Sequence, residues 1–204
     1  MKHWVIILNG PPGSGKDLIE TMMQKEDFLC QKLEFKGGIF DAFQALCEVA
    51  DRGVLYSDFM STYNDRATKE EPYTEGLTKR DIMIHISETC MKPLFGQDVF
   101  GEILVGQVND CENYVITDGG FDREISYLIR KVPHNVLIFN VYRDGKTFAG
   151  DSRSYVNMET LITKGGLNDT SNVFVYPLYH YENNTALAVQ TIKELVWQNG
   201  MELA

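Results

Sequence analysis

Residues 4–9 of this chain read Trp-Val-Ile-Ile-Leu-Asn, and Gly10-Pro11-Pro12-Gly13-Ser14-Gly15-Lys16-Asp17 follows at once. A short apolar run without alternation, partly β-branched and stopped by glycine, predicts a strand buried on both faces. Strands of that kind belong inside parallel sheets, and parallel neighbours need long crossovers, usually helices. This one junction already directs the chain toward an α/β architecture.

The spacing G-x-x-x-x-G-K is met by Gly10, Gly15 and Lys16. Glycine lets the backbone turn tightly, so the N–H groups around Gly13, Ser14 and Gly15 can face one anion. A helix predicted over 15–26 adds its positive end, and Lys16 adds a point charge. A glycine-rich turn that binds nothing is the bland alternative. The lysine, the spacing and the preceding strand together favour a phosphate site, with Gly10, Gly13, Ser14, Gly15, Lys16 and Asp17 as its residues. Position 17 departs from the usual pattern, in which a Ser or Thr hydroxyl touches Mg²⁺. A carboxylate is also a hard oxygen ligand, so Asp17 is read as a metal ligand. The competing reading is an acid that favours the first turn of a helix.

Bulk properties narrow the function further. With 204 residues the chain is long enough for one domain with inserted lobes. A net charge of -10 argues against broad binding to nucleic-acid backbones, which needs a basic face. The N-terminal apolar run is too short for a membrane span or a signal-peptide core. Cys30, Cys47, Cys90 and Cys111 show no CxxC spacing and read as reduced thiols in a cytoplasmic compartment.

Further along, strands are predicted at 32–36, 114–117, 136–142 and 173–176. Helices are predicted at 40–51, 55–67, 78–91, 98–108, 122–131 and 186–197. Thr78 is the expected N-cap of its helix and Pro93 its expected stop. Residues 69–76 read as a polar loop, and 143–171 as a Gly-, Ser- and Asp-rich stretch with weak periodicity. Alternating strands and helices predict a three-layer α/β/α sandwich with a parallel sheet. Ligands in such sheets sit at the carboxyl ends of strands, where 10–17, 118–123 and 143–153 all fall.

Asp118 ends a predicted strand, where a second acid that holds Mg²⁺ is expected. Phosphoryl transfer is mostly positioning and charge neutralisation, so cations matter. Lys36, Arg66, Arg80, Arg123, Arg130, Arg143, Lys146 and Arg153 are the candidates. The glycine-rich run from Arg143 to Arg153 suits a lid that closes over phosphates. Tyr176 to Tyr181 could stack on a nucleotide base, although packing against the last helix is the favoured reading.

Taken together, Gly10 to Asp17, the run Thr117-Asp118-Gly119-Gly120-Phe121-Asp122-Arg123 and the arginines of 143–153 resemble the P-loop nucleoside monophosphate kinases. The GKD ending and the segment from Leu77 to Gly96 look like the phage-type deoxynucleoside monophosphate kinases. The resemblance implies the P-loop NTPase fold of nucleotide kinases and a single domain. Its core would span 1–35, 93–142 and 172–204, with an acceptor-binding lobe at about 36–92 and a lid at about 143–171. It implies transfer of the ATP γ-phosphate to a nucleoside monophosphate, with Mg²⁺ held by Asp17 or Asp118. Lys16, Arg123, Arg143 and Arg153 would then be catalytic, and Lys36, Arg66, Arg80 and Asp118 substrate-binding. ATP and a monophosphate are the expected partners, without nucleic acid or membrane. A homodimer is compatible, and the compartment would be the cytoplasm, of a host if phage-encoded. A kinase of another phosphorylated metabolite and a non-catalytic ATP-binding protein are the alternative functions.

Overall fold

The computed structural model describes residues 3–26, 28–63, 68, 71–151, 153–182 and 184–200. The chain divides into two compact units, one of Met1–Phe35 with Gly101–Ala204 and one of Lys36–Phe100.

The larger unit is built on a five-stranded sheet. Its strands are β1 (Trp4–Asn9), β2 (Gln31–Leu33), β5 (Tyr114–Ile116), β6 (Asn135–Tyr142) and β7 (Val173–Tyr179). They lie in the order β2-β5-β1-β6-β7, and every pairing is parallel. β1 is central and fully buried along its length. Successive side chains point to opposite faces, so each face needs its own apolar cover.

Val5 and Ile7 face one side, with Ile116, Val136 and Ile138. Helix α7 (Asp122–Lys131) covers them with Ile125, Leu128 and Ile129. Trp4, Ile6 and Leu8 face the other side, with Val115, Leu137 and Phe139. There α1 (Lys16–Lys25) contributes Ile19 and Met23, and α9 (Thr185–Gln198) contributes Ala188, Val189, Ile192 and Val196. This is a three-layer α/β/α sandwich with a parallel sheet.

Several boundaries differ from the sequence reading. β7 runs on through Pro177, which pairs with Asn140. β7 is an edge strand, where a residue without N–H is tolerated. The weakly periodic stretch after β6 contains α8 (Met158–Thr163), opened by a reciprocal Asn157/Thr160 capping box. Val156, Leu161 and Leu167 of that stretch are buried in the core, whereas residues 144–147 are exposed.

The smaller unit packs α2 (Gly37–Val49) and α3 (Gly53–Thr62) around Phe40, Phe43 and Phe59. Residues 72–76, within the stretch 69–76 read as loop, join Leu77 and Thr78 in a short hairpin of β3 (Pro72–Thr74) and β4 (Leu77–Thr78). Thr78 then caps α4 (Lys79–Ile84) as expected, in a capping box with Asp81. Such a cap is worth about 1 kcal/mol. Pro93 does not stop the helix. His85–Met91 is π-helical, with the Lys92 N–H bonded to Ser87 O, and α5 (Lys92–Phe95) continues from it. The wider turn relieves the clash between a proline ring and the preceding carbonyl. The actual stop is Gly96, at φ 96°. One more helix, α6 (Val99–Val105), follows.

At the amino-terminal end of the large sheet, buried His134 shows how one ring ties stability to pH. Nε2 lies 2.9 Å from Glu112 O, so it carries the proton, and Nδ1 has no partner among the described residues. Burial holds this imidazole below its ordinary value of 6.5. The Glu112 carbonyl and Asp110 oppose that shift, and His3 adds to it. A base with a depressed folded pKa contributes stability above its unfolded pKa, and this is lost as pH falls toward the folded value. The urea midpoint should drop as pH falls below His134's ordinary value of 6.5, and the drop should shrink in His134→Gln. An identical pH slope in both proteins would remove His134 as the cause.

Candidate functional site

The loop at 10–17 joins the carboxyl end of β1 to α1. Gly13 has φ 83° and Gly15 φ 95°, values that only glycine adopts without strain. A side chain at Gly10 would stand 2.8 Å from Val141 O, so glycine lets the loop pass close to β6. The Ser14 N–H closes a turn onto Pro11 O at 3.1 Å, and Ser14 is fully buried. Lys16 folds back over the loop, its Nζ donating to Gly10 O at 2.6 Å and to Pro11 O at 3.0 Å. Asp17 is exposed in the first turn of α1.

Underneath lies a residue that the sequence reading placed only in an aromatic packing segment. His180 is buried, and its Nδ1 donates to Ser14 O at 2.7 Å. Its Nε2 is 3.0 Å from Thr185 Oγ1, and its backbone N–H donates to Tyr142 O at 2.8 Å. A Cβ on Gly15 would fall 2.2 Å from the His180 ring. The loop thus rests on a histidine from the segment after β7.

The other strand ends bring further residues to the same edge. Asp118 accepts the Phe35 N–H at 3.1 Å. Gly119 packs so closely on Ile7 that a Cβ would stand 2.6 Å from Ile7 Cγ2. Arg153 lies across Gly120, where a Cβ would meet Arg153 Cδ at 2.6 Å. The Asp151 carboxylate takes Arg153 Nε at 2.9 Å and Nη2 at 2.7 Å, a two-pronged pairing that fixes the guanidinium plane. Arg143 donates from Nη1 to Gly13 O at 3.3 Å and from Nη2 to Glu182 at 3.4 Å, so its guanidinium borders the loop. Arg123 is exposed in the first turn of α7, next to Asp122, which accepts from Thr160 Oγ1 at 2.6 Å.

Arg143 also borders a cleft of about 420 Å³ that Lys146, Tyr155, Tyr179, His180 and Tyr181 help to line. Tyr142, at its base, stacks on Tyr155 with centroids 4.3 Å apart and on Tyr179 at 5.6 Å. Flat aromatic side chains beside the glycine loop suit a planar, uncharged ring.

In the smaller unit, Lys36 precedes α2, its ammonium 5.8 Å from the Phe40 ring centre and 5.5 Å from that of Tyr63. Arg80 is exposed in the first turn of α4, and Arg66 lies outside the described residues. Among the described residues no three His, Cys, Asp or Glu side chains form a group able to hold a metal by themselves. The same residues include no helix long and apolar enough to cross a membrane. The four cysteines are free thiols.

Sheet order and the flanking helices define an α/β protein with a parallel central sheet, in which a glycine-rich loop joins β1 to α1. No protein-family model and no curated protein matches the chain. Among solved structures it is similar to a candidate kinase from Chloroflexus aurantiacus, with a TM-score of 0.49 and 13% identity over 97% of this chain and 98% of that one. It is also similar to a sugar kinase from Janibacter sp. HTCC2649, with a TM-score of 0.42 and 13% identity over 98% and 95%.

Proposed function

We propose that the chain transfers the γ-phosphoryl group of ATP to the phosphate of a nucleoside or deoxynucleoside monophosphate. The observation that carries this reading is the loop: glycines at φ 83° and 95° after a central parallel strand, with Lys16 folded across them. That arrangement turns backbone N–H groups and one ammonium toward a polyphosphate.

Gly10, Gly13, Ser14 and Gly15 would cradle the donor phosphates, and Lys16 would stabilise charge on the group in flight. Arg143, already beside Gly13, would neutralise the donor side, with Arg123 and Arg153 on the turn after Asp118. The tyrosine-lined cleft is the place for the donor base. A closing role belongs to 143–150 alone, because Val156, Leu161 and Leu167 are fixed in the core. Lys36, Arg66 and Arg80 in the smaller unit are the acceptor-side cations. No separate base is required, since the acceptor phosphate is already an anion.

Asp17 and Asp118 are the residues that would hold Mg²⁺, and as carboxylates they offer the hard oxygens this ion takes. Bound Mg²⁺ supplies charge neutralisation on the donor phosphates.

ADP release against a panel of monophosphates and other phosphorylated metabolites tests the reading. Release that depends on one or a few monophosphates is expected. Release only with another metabolite moves the acceptor class, and none with any acceptor overturns the kinase reading. In the same assay Asp17→Asn should raise the Mg²⁺ needed for half-maximal turnover. Unchanged Mg²⁺ demand would leave Asp17 as a helix-start residue.

A further inference from the structure

Asn9, the last residue of β1, is fully buried and joins three segments that lie far apart in sequence. Its Nδ2 donates to Gly119 O at 3.0 Å and to Ser154 O at 3.3 Å. Its Oδ1 accepts the Val156 N–H at 3.2 Å. Asn140, its register partner on β6, donates from Nδ2 to Val156 O at 2.8 Å. The two amides thus hold Val156 through both its N–H and its C=O. The residue three before it, Arg153, lies on Gly120 and is locked to Asp151.

An amide suits this place because it donates and accepts at once. The three backbone groups it serves belong to segments that no strand pairing joins there. Buried backbone groups must find partners, so the geometry leaves little freedom for either loop to slide. β1 also leads directly into the phosphate loop.

We propose that Asn9 is a positioning residue that holds the Asp118-Gly119-Gly120 turn and Arg153 in register with the phosphate loop. The catalytic side of this inference rests on the kinase reading; the mechanical side does not. Asn9 touches no reacting atom. It acts by fixing where Arg153 and the acidic turn stand relative to Lys16.

Two measurements on Asn9→Ser and Asn9→Ala test it, after urea melts establish that each variant folds. In the ligand-free protein, amide exchange at Val156 should quicken about tenfold or more, with smaller changes at 153–155, because Val156 loses its acceptor. Amides within the β6–β7 pairing should keep the parent's rates. No change at Val156, or a uniform change across the sheet, overturns the proposal.

The second measurement is a double-mutant cycle with Arg153→Gln. Asn9→Ser should lower kcat about tenfold with KM for ATP within about twofold, and should add nothing further when Arg153 is already Gln. An equal fractional loss in both backgrounds, or an Arg153→Gln variant with the parent's kcat, overturns it. If the parent protein releases no ADP with any acceptor, the kinase reading fails on its own. The exchange pattern then still decides whether Asn9 couples the segments.

Discussion

Lys16→Ala is expected to lower acceptor-dependent ADP release about a thousandfold while moving the thermal midpoint by only a few degrees. The first half follows from where the ammonium stands. It is held over the loop by Gly10 O and Pro11 O, at 2.6 and 3.0 Å. A fixed donor of this kind, aimed at charge that grows during transfer, is worth about 10²–10³ in rate. The second half follows from what the lysine leaves behind. Lys16 is half-buried, and its removal leaves the Gly10 and Pro11 carbonyls without this donor. The loss is on the order of 1 kcal/mol, or about 2–4 °C for a chain of this size. Turnover at the parent's level would show that the loop is not the phosphate site. A collapse of the thermal midpoint would show that Lys16 holds up the fold.

Gly15→Ala should be strongly destabilising. Two costs act together at this position. The backbone sits at φ 95°, outside the range of an ordinary L-residue. The new Cβ would also stand 2.2 Å from a His180 ring atom. The ring is held by Ser14 O, by Thr185 and through its own backbone by Tyr142, so it has little room to yield. Overpacking costs about 1–3 kcal/mol and left-handed strain about 1–2 kcal/mol. A destabilisation of roughly 3 kcal/mol is expected, together with loss of ATP-analogue binding. His180→Ala in the same chain should return part of the stability and none of the backbone strain, so the two changes will not add. Gly53→Ala, which meets nothing within 4 Å, is the control and should be near neutral. Equal effects at both glycines would mean that the His180 contact does not constrain the loop.

The parts of the molecule that could be read in advance are those whose signal is local. β1 announces itself because a central parallel strand is apolar on both faces, and its loop because three glycines and a lysine fall within seven residues. α7 was legible from periodicity alone, since its inward residues Ile125, Leu128 and Ile129 recur at helical spacing. Tertiary context decided the rest. α8 is too short to show a period, and its place depends on Leu161 finding the core. Pro93 is a stop signal in an α-helix but is accommodated after a π-helical turn. β7 passes through Pro177 because, among the described residues, no strand pairs on its outer side.

The site shows the same division. Lys16, Asp118 and the arginines are chemical types that draw attention in any sequence. Asn9, Asn140 and His180 do not, because what marks them is the company they keep across long stretches of chain. An asparagine at a strand end carries no signal until Gly119 and Ser154 are placed against it. A histidine after an edge strand carries none until a glycine loop is seen to rest on it.

The support beneath the glycine loop has a temporal side. Ser14 and His180 are separated by 166 positions. At about 5–20 residues per second, a ribosome needs roughly ten to thirty seconds to cross that interval. For all of that time the loop has been made but lacks the ring on which it rests, and a nascent chain is surrounded by ATP. The fold thus delays completion of the glycine loop's support until the segment carrying His180 and Thr185 has emerged. Fragments that stop short of that segment will contain the whole glycine motif without the support that shapes it.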